Sequence, residues 1–504
     1  MSPVDRRRFL RHAALLGGGA VLAPSLAAQQ ILADPYRPLP LARTGPVRVR
    51  GRVTAAGRGI PGVAVTDGTS VAATDGAGRY TLIADASRPF VSISVPAGFR
   101  VPVGPNRTAA FYRRMVADAR SEMSAEFSLE PLPGGDDAHG FLVLADPQTQ
   151  NAFEVGRLHA ETVPDVRETA RGLGPLPLFG VGCGDIMFDD LTLYPEYERA
   201  VRDMGVPFFQ VIGNHDLVYD RTSDEDSSVT FERHFGPTHY SFDRGEVHYV
   251  VLDDVFWHGQ GYLGYVDQRQ QDWLRADLAR IEAGRTVVVF LHIPVLSTRE
   301  TRNGAERPAI GSSVTNREAL YRLLERYRAY VLSGHTHEHE RHQDGGVRHH
   351  VHGTVCGAWW SGDICWDGTP NGYAVYEVKG SELRWRYKAT GKPADRQIRL
   401  YPPGADPKSP SDLVANVWDA DPSWTVVWHE DGRPRGPMRQ GVGLDPLAVE
   451  QQTGPDKPPR RTWVEPSMTA HLYYAPVSPG ARDVRVEATD PWGRVYGEVW
   501  RRIS

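Results

Sequence analysis

The chain has 504 residues, too many for one compact core, so two to four domains are expected. Apolar residues make up 40% and charged residues 24%, a soluble, globular balance that excludes a disordered chain. The formal net charge is -5, or about -8 without the basic stretch from Met1 to Ala27, and this leaves no cationic footprint for a nucleic-acid partner.

The first residues read as an address. Asp5-Arg6-Arg7-Arg8-Phe9-Leu10-Arg11 resembles the twin-arginine export signal. An apolar stretch from Ala13 to Leu26 follows, broken by Gly17, Gly18, Gly19 and Pro24, and the small Ala27 and Ala28 suit cleavage. That stretch falls short of the roughly 20 residues a bilayer span needs. Residues 1–28 are therefore expected to be a removed signal peptide, with the mature protein periplasmic or extracellular and without a transmembrane anchor. No later stretch is apolar for long enough to span.

Residues 46–132 carry short alternating strands and Gly-rich turns, such as Val47 to Val53 and Thr74 to Leu82. Their phrasing resembles the small β-sandwich of transthyretin and the carboxypeptidase regulatory domain. Nothing in them clusters catalytic residues, so a spacer or adhesion module is expected. From 139 to 390 apolar runs alternate with helical stretches such as Asp267 to Ala283 and Arg317 to Tyr327, the pattern of an α/β domain with buried strands. Residues 391–411, rich in Pro, Gly and charge, read as a linker. From 412 to 504 strands return, around the turns Glu430-Asp431-Gly432 and Asp490-Pro491-Trp492-Gly493, as in a second β-sandwich.

Polar residues gather at the carboxyl ends of the central strands, where α/β sheets collect their ligands. Phe141 to Ala145 ends at Asp146-Pro147-Gln148, and Leu178 to Gly182 leads to Gly184-Asp185. Phe208 to Ile212 ends at Gly213-Asn214-His215-Asp216, Val287 to Leu291 at His292, and Tyr330 to Ser333 at Gly334-His335-Thr336-His337. A lone strand-end Asp is usually a cap, and a lone His is usually structural. Five such fragments in order make a convergent donor set. Phosphoester attack needs it: two divalent ions roughly 3.5–4 Å apart neutralise the phosphate and activate a shared water. Holding them takes a bridging carboxylate with mixed oxygen and nitrogen donors.

The order G-D, G-N-H-D, H, G-H-x-H resembles that of calcineurin-like metallophosphoesterases over about half the chain. The flanking Tyr240-Ser241-Phe242-Asp243 and Gly357-Ala358-Trp359-Trp360-Ser361-Gly362 extend the likeness to a bacterial subfamily with amino- and carboxy-terminal sandwich domains. The resemblance implies an α/β (α+β) core, a four-layer βαβ sandwich with ligands on the loops at one edge, flanked by two small all-β sandwich domains. It implies two divalent ions (Mn, Fe, Zn or Mg): one held by Asp146, Gln148, Asp185 and His337, the other by Asp185, Asn214, His292 and His335, with Asp185 bridging. His215 would meet the phosphate or the leaving oxygen, and Asp216 would orient its ring. The substrate would be a phosphoester, either a small molecule or an envelope component. Two rival readings are an envelope- or glycan-associated binding protein with a weakly active core, and a Ser/Thr protein phosphatase.

The first motif departs from the common Asp-x-His. A carboxamide oxygen at Gln148 is a harder, weaker donor than imidazole and should favour Mn or Mg over Zn. His349, His350 and His352 alternate along one strand and are expected as surface polar residues. Trp359 and Trp360 either stack a substrate or pack their loop; Asp253 and Asp254 either support the ligands or cap a strand. Cys356 and Cys365 either pair in an oxidising compartment, leaving Cys183 over, or all three stay as buried thiols.

Overall fold

The computed structural model describes residues 45–116, 121–455 and 457–502. The export signal expected over 1–28 lies outside them.

Two sheets lie face to face at the centre. In the first, the parallel strands Ala138–Leu144, Leu178–Cys183 and Phe208–Val211 are joined by the antiparallel Gly372–Lys379 and Glu382–Ala389. In the second, Tyr240–Arg244 pairs antiparallel with Val247–Val251. The parallel run Val247–Val251, Thr286–Phe290, Arg328–Ser333 and Val347–Val351 continues it, and Glu340–Asp344 closes the far edge. Successive side chains of a strand point to opposite faces, and both faces are covered here. Phe141, Val143 and Ala145 fill the space between the sheets with Phe179, Phe209, Phe242, Tyr249 and Phe290. Leu142 and Leu144 point outward, onto a layer that contains the helices Val163–Gly172 and Tyr194–Met204. On the outer face of the second sheet, Val250, Val287 and Val289 meet Trp273, Leu274 and Leu320 of the helices Gln268–Leu278 and Arg317–Leu324. The four-layer sandwich is thus helix, sheet, sheet, helix.

Two β-rich modules flank it. The amino-terminal one centres on the strand Pro46–Ala55, paired with Arg79–Asp85, and shares one continuous apolar core with the two central sheets. The carboxy-terminal one packs two four-stranded sheets around Trp424, Val426, Trp428, Val484 and Val486. Residues 391–411 are not a bare linker: Ile398–Tyr401 is a strand that pairs with Asp412–Val417, because Ile398 and Tyr401 bury apolar faces in this module. The surface expectation for His349, His350 and His352 is also overturned, since all three are buried. Val347–Val351 lies inside the second sheet rather than at its edge, and Tyr321 and Tyr376 supply hydroxyl partners for the rings. Cys183, Cys356 and Cys365 are free and buried. No helix among the described residues is long and apolar enough to cross a membrane.

Candidate metal centre

Because the strands that carry the motifs run parallel, their carboxyl ends meet at one edge of the sandwich. Asp146 follows Ala138–Leu144, Asp185 follows Leu178–Cys183, Asn214 follows Phe208–Val211, His292 follows Thr286–Phe290, and His335 follows Arg328–Ser333. All but the half-buried His335 are at most 1% exposed. The chain turns sharply there. Asp146, Gln148, Asp185, His335 and His337 all take left-handed backbone at φ values of 46°, 44°, 47°, 70° and 54°. Such conformations cost non-glycine residues of order 1–3 kcal/mol each and persist where the surroundings over-determine them. The glycines of the motifs make room for this crowding. A Cβ on Gly213 would sit 1.9 Å from the Asp185 backbone nitrogen, and one on Gly334 would sit 2.2 Å from Asp146 Oδ2.

Backbone carbonyls fix the tautomers of the imidazoles. His292 Nδ1 lies 3.1 Å from the Cys183 carbonyl, so it donates there and leaves Nε2 as the lone pair. That Nε2 faces Asp185 Oδ1, Asn214 Oδ1 and His335 Nδ1, each at 3.2 Å. His335 Nε2 donates to the Gly311 carbonyl at 2.8 Å, which leaves its Nδ1 bare as well. His337 Nδ1 donates to Gly357 at 2.5 Å and turns Nε2 toward Asp146 Oδ1 at 3.5 Å. Acceptors therefore confront acceptors, an arrangement that a cation resolves and neutral rings do not. The ligand atoms of Asp185, His292 and His335 lie within 4.8 Å of one another, which suits a single metal ion. The cluster calls for positive charge, and in the absence of a metal ion a proton on His292 supplies it. Burial opposes a proton on His292, but the Asp185 carboxylate raises it to about 10; burial would raise Asp185, yet His292 and His215 hold it low.

The remaining predicted residues sort themselves around this cluster. Gln148 places Nε2 3.0 Å from Asp185 Oδ2, next to the cluster. Its amide nitrogen faces the carboxylate, and a half-turn of the amide would aim its oxygen there instead. His215 holds Nε2 3.9 Å from Asp185 Oδ2, and its ring abuts Phe188 at 4.4 Å between centroids. Its orienting partner is not Asp216. The turn Asn214–Asp216 sends Asp216 back into the core, where it accepts from the backbone N–H of Gly213, Ile186 and Met187 and from the Tyr194 hydroxyl. Asp189 holds His215 instead, with Oδ1 2.6 Å from Nδ1. Asp216 knits the Asp185 loop to the Asn214 loop, and burial together with the charge of Asp185 pushes its carboxyl up to about 7.

Asp254 supports a ligand: its Oδ1 accepts from the N–H groups of His292 and Ile293. Asp253 accepts from Val255 N–H. Trp359 stacks on His337, with centroids 4.0 Å apart and planes 18° apart, and Trp360 donates Nε1 to the Pro147 carbonyl. Both tryptophans pack the loop against the site. Asp189, the carboxylate that holds His215, was not expected from the sequence. Its only signal was a second acid four residues after Asp185, in the same strand-end loop.

A two-sheet sandwich with helices outside and His, Asp and Asn donors at one strand-end edge defines the metal-dependent phosphoesterase class. The chain belongs to the calcineurin-like phosphoesterase family, whose architecture is that of hydrolases. The family's core model matches residues 141–339, its N-terminal model 47–132 and its C-terminal model 349–496, together most of the sequence. Among curated relatives, a serine/threonine-protein phosphatase CPPED1 of Homo sapiens is 29% identical over 133 residues, 24% of this chain and 42% of that protein. The same-named protein of Pongo abelii is 27% identical over 176 residues, 31% of this chain and 55% of that one. The chain thus spans about half the length of the curated relatives it matches. Among solved structures, a purple acid phosphatase from yellow lupin (Lupinus luteus) is 14% identical, covering 69% of this chain and 68% of its own, with a TM-score of 0.37.

Proposed function

We propose that this chain hydrolyses a phosphoester outside the cytoplasmic membrane, with two divalent cations held by Asp146, Gln148, Asp185, Asn214, His292, His335 and His337 and with Asp185 shared between them. The observation that carries this reading is the confrontation of bare lone pairs, His292 Nε2 and His335 Nδ1 against Asp185 and Asn214 oxygens. Bound divalent cations would neutralise the phosphate charge and lower the pKa of an attacking water. The protein's own groups do the rest. Asp189 accepts from His215 Nδ1 and favours the imidazolium, so that Nε2 is the nitrogen that can donate. That proton is suited to a phosphate oxygen or to the departing alkoxide, a contribution typically worth about 10²–10⁴-fold. The apolar ring of Phe188 shields His215 from bulk water on one side. Export by the twin-arginine route, from Arg6 and Arg7, fits a protein that must fold around its metals before translocation.

A second reading, hydrolysis of phosphoserine or phosphothreonine in proteins, is favoured by the similarity to serine/threonine-protein phosphatases. One assay decides between them: the full chain, loaded separately with Mn, Zn, Mg and Fe, is given nitrophenyl phosphate, nucleotides, phospholipid headgroup diesters and phosphopeptides. Metal-dependent turnover of small esters above that of phosphopeptides is expected. Absence of turnover on every substrate with every metal would overturn the hydrolase reading.

A further inference from the structure

The segment 457–467 lies between the helix Pro446–Thr453 and the strand Met468–Pro476 of the carboxy-terminal module. In between it touches the walls of the metal centre at three points. The Arg461 guanidinium lies 4.7 Å from the centroid of Phe188, the ring that abuts His215. Trp463 packs edge-on against Trp359 at 4.5 Å, the ring stacked on His337. Ser467 donates its hydroxyl to Glu338, the residue after His337. Phe188, Ala358, Trp359 and Val464 form one buried apolar cluster, with Trp366 and Trp463 packed against it. Phe188 and Trp359 come from different loops of the core, and Val464 and Trp463 close the cluster between them.

We infer that this loop is part of the active centre, with Arg461 a positioning residue for His215 through Phe188 and Trp463 a positioning residue for His337 through Trp359. The inference rests on the roles proposed above for those two histidines. Arg461 holds left-handed backbone at φ 57°, a strained conformation for a residue with a side chain. Its guanidinium accounts for that. One end donates to the buried Glu154 carboxylate at 2.9 Å while the plane covers Phe188. Without Arg461, Glu154 would keep its acceptance from Gln150 N–H but lose the guanidinium that balances its buried charge. Phe188 would then be free to tilt away from His215. The Trp463 contact works on the other wall. An imidazole stacked against an indole cannot rotate about its Cβ–Cγ bond, so a braced Trp359 keeps His337 Nε2 aimed at Asp146. The two contacts make distinct demands: one sets a metal ligand, the other the ring meeting the phosphate.

The test uses the full chain stripped of metal, with Mn²⁺ affinity by calorimetry, kcat and KM on nitrophenyl phosphate, and a melting curve for each variant. Trp463→Ala is expected to weaken Mn²⁺ binding about tenfold, as loss of an outer support of a metal ligand does; Trp463→Phe should recover most of it. Arg461→Ala is expected to leave Mn²⁺ affinity within about twofold and to lower kcat about tenfold at nearly constant KM, the effect of a small misplacement of a reacting group. Arg460→Ala, which removes a cation stacked on Phe153 away from the histidines, should match wild type in both readouts. Wild-type values for Trp463→Ala and Arg461→Ala would overturn the inference. So would a parallel fall of affinity, kcat and melting temperature in both, which marks general loosening. His337→Ala keeps the two readings apart: unchanged Mn²⁺ affinity there would sink the ligand assignment itself, whereas lost affinity there with unaltered Trp463→Ala would sink only the role of the loop.

Discussion

The amino-terminal sandwich meets the core chiefly through rings and sheet edges, whereas the carboxy-terminal one adds buried charges to the aromatic contact of Trp463 with Trp359. Phe111 packs on Tyr240 and Phe209 at 4.5 and 5.9 Å, and Ala109 N–H and Asp243 N–H make hydrogen bonds across the joint, to Phe208 and to Val95. Those partners sit on the strands Phe208–Val211 and Tyr240–Arg244, the outer edges of the two sheets. At the other joint, Asp419 accepts from His339 Nε2 at 2.9 Å and Arg341 at 2.7 Å, while Asp367 bridges His339 N–H and His471. Arg302 links Glu338 and Glu340 and donates Nε to the Met468 carbonyl. Apolar contact is non-directional and tolerates small shifts; charged hydrogen bonds are directional and fix a position. The directional joint grips the residues directly after His335 and His337. One module therefore covers an edge, and the other braces the ligand loop.

The largest effect expected from breaking this contrast is at Asp419. Asp419→Ala leaves Arg341 and His339 buried without their carboxylate, a defect that typically costs about 3–5 kcal/mol. Thermal unfolding should show that loss, and the folded protein should bind metal more weakly because the His335–His337 loop has lost its brace. Asp419→Asn, which can still accept from both partners, should lie between. A folded Asp419→Ala protein with unaltered metal affinity would refute the brace.

A smaller effect belongs to the amino-terminal side. His248 lies between Asp243 at 3.0 Å and Asp277 at 3.0 Å. Burial alone would lower its pKa, but the two carboxylates raise it to about 9. Its folded value thus exceeds the unfolded one of about 6.5. The stability it lends is complete below about pH 6.5 and is lost as pH rises through about 9, on the order of 3 kcal/mol in all. The same Asp243 offers its N–H to Val95 of the amino-terminal module. Denaturant titrations from pH 6 to 10 should show this alkaline loss in wild type and a flatter profile in His248→Gln. Identical profiles would remove His248 from the account.

The core was legible because strand-end motifs state both chemistry and topology: an apolar run followed by Asp or His can be little else when five recur in order. What surrounds the ligands was not legible. Asp216 follows His215 in sequence, but a tight turn points it away, and Asp189 takes the ring from a neighbouring loop. The carbonyls of Cys183, Gly311 and Gly357 that set three tautomers have no side-chain signature at all. His349 and His350 alternate as surface residues would, yet their strand is covered on both faces, which only the sheet order reveals. Likewise Arg461 and Trp463 stand more than a hundred residues from the loops they support, beyond the reach of any local pattern.

Asp189 offers a change inside the centre that touches neither module. Asp189→Asn can still accept from His215 Nδ1 but no longer favours the imidazolium, so kcat on an alkyl phosphate should fall about tenfold with metal retained. Nitrophenyl phosphate, whose leaving group needs no proton, should lose far less. Equal losses on both substrates would make the role of His215 electrostatic rather than proton-donating.

The smallest effect is expected where the amino-terminal sandwich docks. Phe111→Leu keeps an apolar side chain at a buried joint but removes ring contacts with Phe209, Tyr240 and Tyr112. Swaps of this kind usually cost less than about 1.5 kcal/mol, since neighbouring side chains relax into the space. A slightly lower melting temperature should therefore be the whole phenotype, with metal affinity, kcat and KM at wild-type values, because Phe111 touches the strand that leads to Asn214 only near its start, at Phe209, and touches no ligand. Paired with Asp419→Ala, it separates attachment from bracing: a stability loss without a metal phenotype on one side, and both together on the other. A Phe111→Leu protein that binds metal several-fold more weakly at full folding would show that the edge joint also reaches the centre, and the contrast between the two modules would fail.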